Sequence, residues 1–169
     1  MGVLTVSDRA SRGEYEDVSG PCIEKWIRVA VVSEFDIERR VVSDGVHSVA
    51  AALVELADIR GCDLVFTTGG TGPSPGDLMR EAMSKVIEKE LPGFGEHLRR
   101  SGLDQTPTSI LSRQTAGVRG KTLIVNLPGK PRSIDLGLAA IFGAIPCCLE
   151  LIGAGRLETK PHIAEAYRP

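Results

Sequence analysis

Three glycines within four residues, Gly69-Gly70-Thr71-Gly72, form the segment of this sequence best suited to hold a phosphate. They directly follow the apolar run at residues 63–67, so the loop would lie at the end of a strand. Glycines expose backbone N–H groups and remove the Cβ atoms that keep a phosphate away, and the next helix would add the positive end of its dipole. A phosphate site is therefore one interpretation, and a plain tight turn is the other.

A second turn with suitable chemistry is Pro128-Gly129-Lys130, which follows the apolar run at residues 121–127. Its lysine can supply a positive charge to a phosphate, or it can simply be solvated. Pro131 is well placed to open the following helix, because proline has no N–H to lose at a first helical position.

Three aspartates, Asp8, Asp44 and Asp77, lie just after an apolar run or beside the glycine loop. If the strands are parallel, the loops at their carboxyl ends meet at one edge of the sheet, and these carboxylates converge there. Carboxylates near phosphates are what Mg²⁺ needs, because it binds through a few hard oxygens and keeps several waters. The alternative for each aspartate is a structural role in capping a turn.

Two segments match known catalytic or nucleotide-binding motifs only in part. Residues 72–76 fit G-x-S-x-G, the nucleophile elbow of hydrolases, but that site uses the N–H of the residue after the serine, and Pro75 has none. A hydrolase built on Ser74 is therefore disfavoured. Residues 120–122 resemble the end of a P-loop, but Thr115 stands where the first glycine of that motif is required.

The histidines and cysteines lack the spacing of a metal or catalytic site. No C-x-x-C pair is matched by a second pair or by a pair of histidines, which disfavours a zinc site. We expect surface histidines and reduced, mostly buried thiols, as in a cytoplasmic protein. These residues are His47, His97, His162, Cys22, Cys62, Cys147 and Cys148.

The composition of the 169-residue chain excludes several classes of protein. Apolar residues make up 42% and charged residues 25%, which is typical of a globular protein and not of a disordered one. A formal net charge of −2 gives no general attraction to nucleic acid or to an anionic membrane. The longest uncharged stretch, residues 136–149, contains Pro146 and is shorter than the about 20 residues of a spanning helix. We therefore expect no nucleic-acid partner and no membrane partner.

Apolar periodicity divides the chain into alternating strands and helices. Strands are predicted at residues 3–6, 35–42, 63–67 and 121–127. The second is expected near a sheet edge, because Arg39 and Arg40 need solvent. Helices are predicted after Gly20-Pro21, after Asp44-Gly45 and at residues 79–90, and Leu91-Pro92-Gly93 is expected to stop the third. Residues 94–116 are predicted as short helices and connections, and two apolar helical segments separated near Pro146 follow the last strand.

This alternation indicates an α/β fold, a three-layer sandwich with a mainly parallel sheet and helices on both faces. The sequence has no linker, repeat or low-complexity stretch, so residues 1–169 are predicted to form a single domain. Ligands of such sheets bind beyond the carboxyl ends of the strands. The glycine loop, the lysine turn and the three aspartates would meet at that edge.

Together these motifs resemble the molybdopterin adenylyltransferase family, the bacterial Mog-type proteins related to the G domains of gephyrin and of plant molybdenum-cofactor proteins. The glycine loop with Asp77 and Glu81-Ala82 carries the resemblance, and further segments match in order along nearly the whole chain. The loop alone is shared with molybdenum insertases and competence-damage proteins, but the total length favours the stand-alone enzyme. The further segments are Val6-Ser7-Asp8-Arg9-Ala10-Ser11 with Gly13 and Asp17, Leu91-Pro92-Gly93-Phe94-Gly95-Glu96, Ile110-Leu111-Ser112-Arg113-Gln114, Asn126-Leu127-Pro128-Gly129-Lys130-Pro131 and Ala166-Tyr167-Arg168-Pro169.

The resemblance implies the molybdenum-cofactor-biosynthesis fold and an enzyme that adenylylates molybdopterin with MgATP, releasing pyrophosphate. Asp44 and Asp77 match the family's functional aspartates and would be the catalytic residues that hold Mg²⁺ on the ATP phosphates. The family forms trimers, so the resemblance implies a homotrimer with transient contacts to molybdopterin synthase and molybdenum insertase. The expected reduced thiols indicate a cytoplasmic location. The residues expected to bind substrate are Ser7, Asp8, Gly69, Gly70, Thr71, Gly72, Pro128, Gly129 and Lys130.

The chain departs from the family pattern beside Asp77. Family members usually have arginine immediately before this aspartate and Thr-Pro after the next residue, where this chain has Gly76, Met79 and Arg80. The missing arginine would be a phosphate contact, and Arg80 could replace part of its charge. The altered loop leaves a second hypothesis open, in which the protein is a non-catalytic trimer that binds or carries molybdopterin.

Overall fold

One six-stranded sheet organises the chain, with its strands in the order β2-β1-β3-β6-β5-β4. The computed structural model describes residues 1–168, so Pro169, the last residue of the closing segment quoted above, lies outside the described residues. The strands are β1 (Gly2–Val6), β2 (Glu38–Val42), β3 (Leu64–Thr68), β4 (Lys89–Glu90), β5 (Ala116–Arg119) and β6 (Thr122–Leu127).

The four strands β2, β1, β3 and β6 are mutually parallel, and they bring their carboxyl ends to one edge of the sheet. The pairs Val6 with Val42, Thr5 with Thr68, and Thr68 with Leu127 set this register. Strands β5 and β4 continue the sheet in antiparallel order. The predicted mainly parallel sheet is therefore confirmed, as is the edge position of β2.

Helices cover both faces of this sheet. The α-helices are α1 (Asp8–Ser11), α2 (Ser19–Ala30), α3 (Val46–Val54), α4 (Met79–Val86), α5 (Pro92–Leu103), α6 (Pro131–Ile141) and α7 (Ile145–Leu151). A π-helical turn, Glu55–Ile59, continues α3, and short 3-10 turns lie at Pro107–Leu111 and Phe142–Ala144.

Alternate side chains of each strand supply two separate cores. Val3 and Phe66 are fully buried on the face that packs against α2 and α6. Leu4 and Val65 are fully buried on the opposite face, against α3 and α4. Because successive strand residues point to opposite sides, this pattern produces the three predicted layers.

The helical run Pro131–Leu151 has 21 residues and contains an 18-residue window of mean hydropathy 1.8, which is long and apolar enough to cross a membrane. In this structure it covers one face of the sheet. Its side chains Ile134, Leu138 and Phe142 are fully buried in the core beside β3 and β6. Because these side chains are buried against the sheet, the run is part of one helical layer of the sandwich. A 3-10 turn at Phe142–Ala144 interrupts it.

Two predicted boundaries were wrong, the first because of long-range pairing. The helix expected at residues 79–90 ends at Val86, because the backbone beyond it pairs with β5 as strand β4. Glu88 N–H donates to the Val118 carbonyl at 2.8 Å, and Leu91 N–H donates to the Ala116 carbonyl at 2.8 Å. The strand expected at residues 35–42 begins only at Glu38.

Pro92 was expected to stop a helix, and it starts one. It lies in the first turn of α5, where its missing N–H costs nothing. Residues 94–116, predicted as short helices and connections, therefore contain most of a 12-residue helix and the beginning of β5. Helix α5 forms one wall of the candidate site.

Candidate active site

The loops after β1, β2, β3 and β6 meet at the carboxyl edge of the parallel strands and are tied to one another. Ser7 N–H donates to the Val42 carbonyl at 2.9 Å. Thr68 Oγ1 donates to the Pro128 carbonyl, and Ser19 Oγ donates to the Gly129 carbonyl, each at 2.7 Å. The edge is therefore a connected surface and not a set of independent loops.

The first two residues of the glycine loop, residues 69–72, have a backbone conformation that only glycine adopts easily. Gly69 and Gly70 have φ of +97° and +62°, and a Cβ on Gly69 would collide with the Val6 carbonyl oxygen. Met79 N–H donates to the Gly70 carbonyl at 3.1 Å, which ties the start of α4 to the loop. Gly69 is thus required by its close approach to β1 as well as by its positive φ, and Gly70 is favoured by its positive φ.

Asp44 lies against this loop and is held by Asp8. Each backbone N–H of the pair donates to the carboxylate of the other, and both distances are 3.0 Å. In Asp44 the accepting atom is Oδ2, whereas Oδ1 faces the loop, 3.5 Å from where a Cβ on Gly70 would stand. Within residues 1–168 no hydrogen bond reaches this Oδ1.

Asp77 lies against the other end of the same loop. Its Oδ2 accepts a hydrogen bond from Ser74 N–H at 3.0 Å, and it would stand 2.7 Å from a Cβ on Gly72. The structure thus brings both sequence-predicted aspartates to the glycine loop, Asp44 beside Gly70 and Asp77 beside Gly72.

Arg113 fastens the segment that carries Asp77. Its Nε donates to the Gly72 carbonyl at 3.1 Å and its Nη2 to the Asp77 carbonyl at 2.6 Å. The same guanidinium forms a bidentate salt bridge with Glu81, at 2.6 and 2.7 Å. The backbone N–H of Arg113 donates to the Thr71 carbonyl at 2.8 Å. This hydrogen-bonded pair lowers the pKa of Glu81 and raises the pKa of Arg113.

Arg80, the residue expected to replace part of the missing charge, is paired with a glutamate. Its Nη2 lies 2.8 Å from Glu90 Oε1, so its charge is directed toward β4. Gly76, where the family pattern has arginine, is exposed, and a Cβ there would meet nothing within 4 Å. The expectation that Arg80 supplies charge to a phosphate therefore stays a prediction, and such a contact would have to compete with this ion pair.

Two cavities flank the Gly129-Lys130 turn, and both residues line each of them. The first, of about 290 Å³, lies between α5 and α6 and also includes Thr71, Gly72 and Pro128 in its wall. We call it the α5–α6 cavity. Gln114, only 3% exposed, lines it as well, and the Nε2 of this side chain has no hydrogen-bond partner within residues 1–168.

The second cavity, of about 280 Å³, lies at the start of α2 and includes Ser7, Gly69 and Tyr15 in its wall. We call it the α2 cavity. Its floor is ordered by Asp17, whose carboxylate accepts hydrogen bonds from Ser19 N–H and Gly20 N–H, both at 3.0 Å. Of the predicted substrate-binding residues, Asp8 and Gly70 line neither cavity; Asp8 is hydrogen-bonded to Asp44, and Gly70 lies beside it.

The acidic residues of the site suit Mg²⁺ better than a metal that needs a protein cage. No group of three or more His, Cys, Asp or Glu side chains arranged to hold a metal occurs within residues 1–168. Asp44 and Asp77 each use one carboxylate oxygen in the hydrogen bonds above. Mg²⁺ is commonly held by one or two carboxylates together with substrate phosphates and water, so two half-free carboxylates beside a glycine loop fit it.

The similarity to known proteins extends over the whole chain. The family model described as "Probable molybdopterin binding domain" matches residues 2–146. The molybdopterin adenylyltransferase of Helicobacter pylori strain J99 is 46% identical over 169 residues, which cover 100% of this chain and 96% of that relative. The chain belongs to the molybdopterin adenylyltransferase family. The enzyme of the same name from Escherichia coli strain K12 is 39% identical over 181 residues, covering 100% of this chain and 93% of that relative.

Solved structures of the family share this fold. The molybdopterin biosynthesis enzyme MoaB from Thermus thermophilus superposes with a TM-score of 0.84 at 38% identity, over 93% of this chain and 98% of that one. The molybdopterin biosynthesis Mog protein from Mycobacterium ulcerans gives a TM-score of 0.81 at 39% identity, over 89% and 97% of the two chains. The predicted fold class is thereby confirmed.

Sequence reasoning did not find the role of Arg113 or the place of Tyr15 in the α2 cavity, and it found Asp17 only as part of the N-terminal segment that resembles the family. Arg113 lies 36 and 41 residues from the two carbonyls that its side chain contacts, and no local pattern marks such a pairing. The one available signal was its place in the segment Ile110-Leu111-Ser112-Arg113-Gln114, which resembles the family.

Proposed function

We propose that this protein adenylylates molybdopterin with ATP at the carboxyl edge of its parallel strands, with residues 1–169 acting as one catalytic domain. The observation that carries the proposal is the full-length identity of 46% to a molybdopterin adenylyltransferase. It is supported by the position of Asp44 and Asp77 against opposite ends of one glycine loop. The activity places the protein in molybdenum cofactor biosynthesis.

In the proposed reaction, a terminal phosphate oxygen of molybdopterin attacks the α-phosphorus of ATP. The bond from that phosphorus to the oxygen bridging to the β-phosphate breaks, and pyrophosphate leaves. The products are adenylyl-molybdopterin and pyrophosphate, so no oxidant or further reactant is needed. Transfers of this kind depend mainly on positioning and on neutralising charge, which agrees with a site that has no activated nucleophile among the residues named here.

The chain's own residues would divide this work between them. Backbone N–H groups of residues 69–72 would bind phosphate oxygens, and Lys130, shared by the two cavities, would add a positive charge between them. Ser7, Asp8, Thr71, Pro128 and Gly129 complete the proposed substrate-binding set. Gln114 presents a buried amide nitrogen that has no hydrogen-bond partner among residues 1–168 at the wall of the α5–α6 cavity, which suits a cavity for a polar ligand.

Asp44 and Asp77 would hold Mg²⁺ through the carboxylate oxygens that their hydrogen bonds leave available. Bound there, Mg²⁺ would neutralise phosphate charge during transfer. The reciprocal bonds with Asp8 would orient Asp44, and the Ser74 N–H would orient Asp77.

The assembly and location belong to the same proposal. We place the protein in the cytoplasm as a homotrimer that makes transient contacts with molybdopterin synthase and molybdenum insertase. All four cysteines are free thiols in the structure, which fits a reducing compartment.

Pyrophosphate release tests this proposal against the alternative of a non-catalytic carrier. Purified protein with Mg²⁺, ATP and molybdopterin should release pyrophosphate, and omission of any one of the three should abolish the release. Two observations support the carrier hypothesis. Residues 73–78, which include Gly76, contain no basic side chain, and the nearby Arg80 is paired with Glu90. Tight molybdopterin binding with no pyrophosphate above a blank would favour the carrier.

A further inference from the structure

The segment from Gly72 to Asp77 has few ways to hold its own shape. Pro73 and Pro75 have no N–H to donate. Its internal hydrogen bonds join only Ser74 and Asp77, from Asp77 N–H to the Ser74 carbonyl at 2.9 Å and from Ser74 N–H to the Asp77 carboxylate at 3.0 Å. Outside contacts must therefore fix where the segment lies relative to the sheet.

Arg113 supplies such contacts at both ends of the segment. One guanidinium edge donates to the Gly72 carbonyl and the other to the Asp77 carbonyl, at 3.1 and 2.6 Å. Glu81, on α4, fixes the orientation of the guanidinium by accepting two hydrogen bonds from it, at 2.6 and 2.7 Å. A planar group with five donors can make all four contacts at once, which a lysine ammonium cannot do.

We propose that Arg113 is a positioning residue of the adenylyl transfer, acting through Asp77 by clamping residues 72–77 to α4. The inference rests on the proposed function, since the reaction supplies the reason for Asp77 to be placed accurately. Arg113 touches carbonyls and Glu81, and it is assigned no contact with either substrate. A displacement of about 1 Å at a reacting centre can cost on the order of 100-fold in rate.

The test compares Arg113→Ala, Arg113→Lys and Glu81→Gln with a control that loses the same chemistry elsewhere. Arg119 is that control, because it pairs through two bonds with Asp58, at 2.9 and 2.6 Å, and donates to the Val86 carbonyl at 3.1 Å. It lies on β5, and Arg119→Ala removes an equivalent clamp outside the site. The measurements are kcat, the Mg²⁺ concentration for half-maximal rate, the Kd for molybdopterin without ATP, and hydrogen exchange of residues 72–77.

We expect Arg113→Ala and Arg113→Lys to lower kcat by about 10- to 100-fold and to raise the half-maximal Mg²⁺ concentration. The molybdopterin Kd should change by less than about threefold, and Arg119→Ala should leave all three values unchanged. Glu81→Gln should give a smaller change in the same direction, and it decides the matter if Arg113→Ala does not fold. Faster exchange of residues 72–77 is expected in the Arg113 variants and not in Arg119→Ala.

The proposal is overturned if the Arg113 variants keep wild-type kcat and Mg²⁺ dependence, or if molybdopterin affinity falls in proportion to kcat. Unchanged exchange of residues 72–77 in Arg113→Ala would also overturn the clamp, and this readout does not depend on catalysis. A wild-type protein that releases no pyrophosphate contradicts the proposed function instead, so the two failures are distinguishable.

Discussion

Asp8 and Asp44 hold each other through a reciprocal pair of hydrogen bonds. The backbone N–H of each donates to the carboxylate of the other at 3.0 Å, across 36 residues of sequence. The pair joins the loop after β1 to the loop after β2 and leaves Asp44 Oδ1 facing the glycine loop. Asp8 is therefore assigned the task of orienting Asp44.

Substitutions of Asp8 should separate its hydrogen bond from its charge. Asp8→Ala removes the acceptor for Asp44 N–H and should lower the free energy of unfolding by about 1 kcal/mol. Asp8→Asn keeps an Oδ1 acceptor and should lose less. Urea denaturation of the two variants measures the difference, and equal losses would argue against the hydrogen bond as the stabilising element.

Glycine is required at position 69 and not at position 76. Gly69→Ala places a Cβ against the Val6 carbonyl in a residue with φ of +97°, and backbone strain of this kind alone costs about 1–3 kcal/mol. Gly76→Ala meets nothing within 4 Å and should change stability by less than about 0.5 kcal/mol. Denaturant midpoints of the two variants give the comparison, and similar midpoints would contradict the described loop.

Replacing the Asp77 carboxylate with a neutral amide should show whether this residue acts in catalysis or in molybdopterin binding. Asp77→Asn keeps an oxygen that can accept from Ser74 N–H but removes the proposed Mg²⁺ ligand. We expect kcat to fall by at least about 100-fold, on the scale of losing one charge-stabilising group, with little change in molybdopterin Kd. Asp36→Asn is the matched control, because Asp36 precedes β2 and so lies at the amino ends of the parallel strands, away from the site. Equal losses of kcat and affinity in Asp77→Asn would contradict the metal role.

An arginine at position 76 should add the phosphate contact that the family pattern implies there. Gly76 is open to solvent beside Asp77, so Gly76→Arg should fit without strain and lower the KM for ATP. Arg80→Ala should leave that KM unchanged, because Arg80 pairs with Glu90. Steady-state kinetics in ATP decide between these outcomes, and a raised KM in Arg80→Ala would reverse the assignment.

The Cys22 thiol should react slowly at neutral pH. Burial, together with the nearby carboxylate of Asp135, 3.4 Å from Sγ, raises the pKa of this thiol to about 11. Because the thiolate is the reactive form, alkylation by iodoacetamide at pH 8 should be slow and should accelerate in Asp135→Asn. Mass spectrometry of the labelled peptide measures both rates. No acceleration in the variant would show that Asp135 does not control this thiol.

The parts of the fold that the sequence predicts well are those set by local composition. Strands β1, β3 and β6 are runs of buried, mostly apolar residues, and such runs carry their own signal. Strand β4 has two exposed charged residues, Lys89 and Glu90, and only pairing with β5 makes it a strand. No local pattern contains that pairing.

The candidate site likewise has residues that the sequence predicts and contacts that it does not predict. Asp44, Asp77 and the glycine loop are recognisable because of their residue types and their places after apolar runs. The hydrogen bonds from Arg113 to Gly72 and Asp77 join residues 41 and 36 positions apart. Such contacts depend on how the layers pack, and one sequence does not reveal them.

The most direct measurement of the central claim is identification of both products in one reaction. Wild-type protein is incubated with Mg²⁺, ATP and molybdopterin, and adenylyl-molybdopterin and pyrophosphate are quantified in the same sample by mass spectrometry and an enzyme-coupled assay. We predict equal molar amounts of the two, rising together with time. Release of pyrophosphate with free AMP in place of the adenylylated pterin, or no turnover at all, would contradict the assignment.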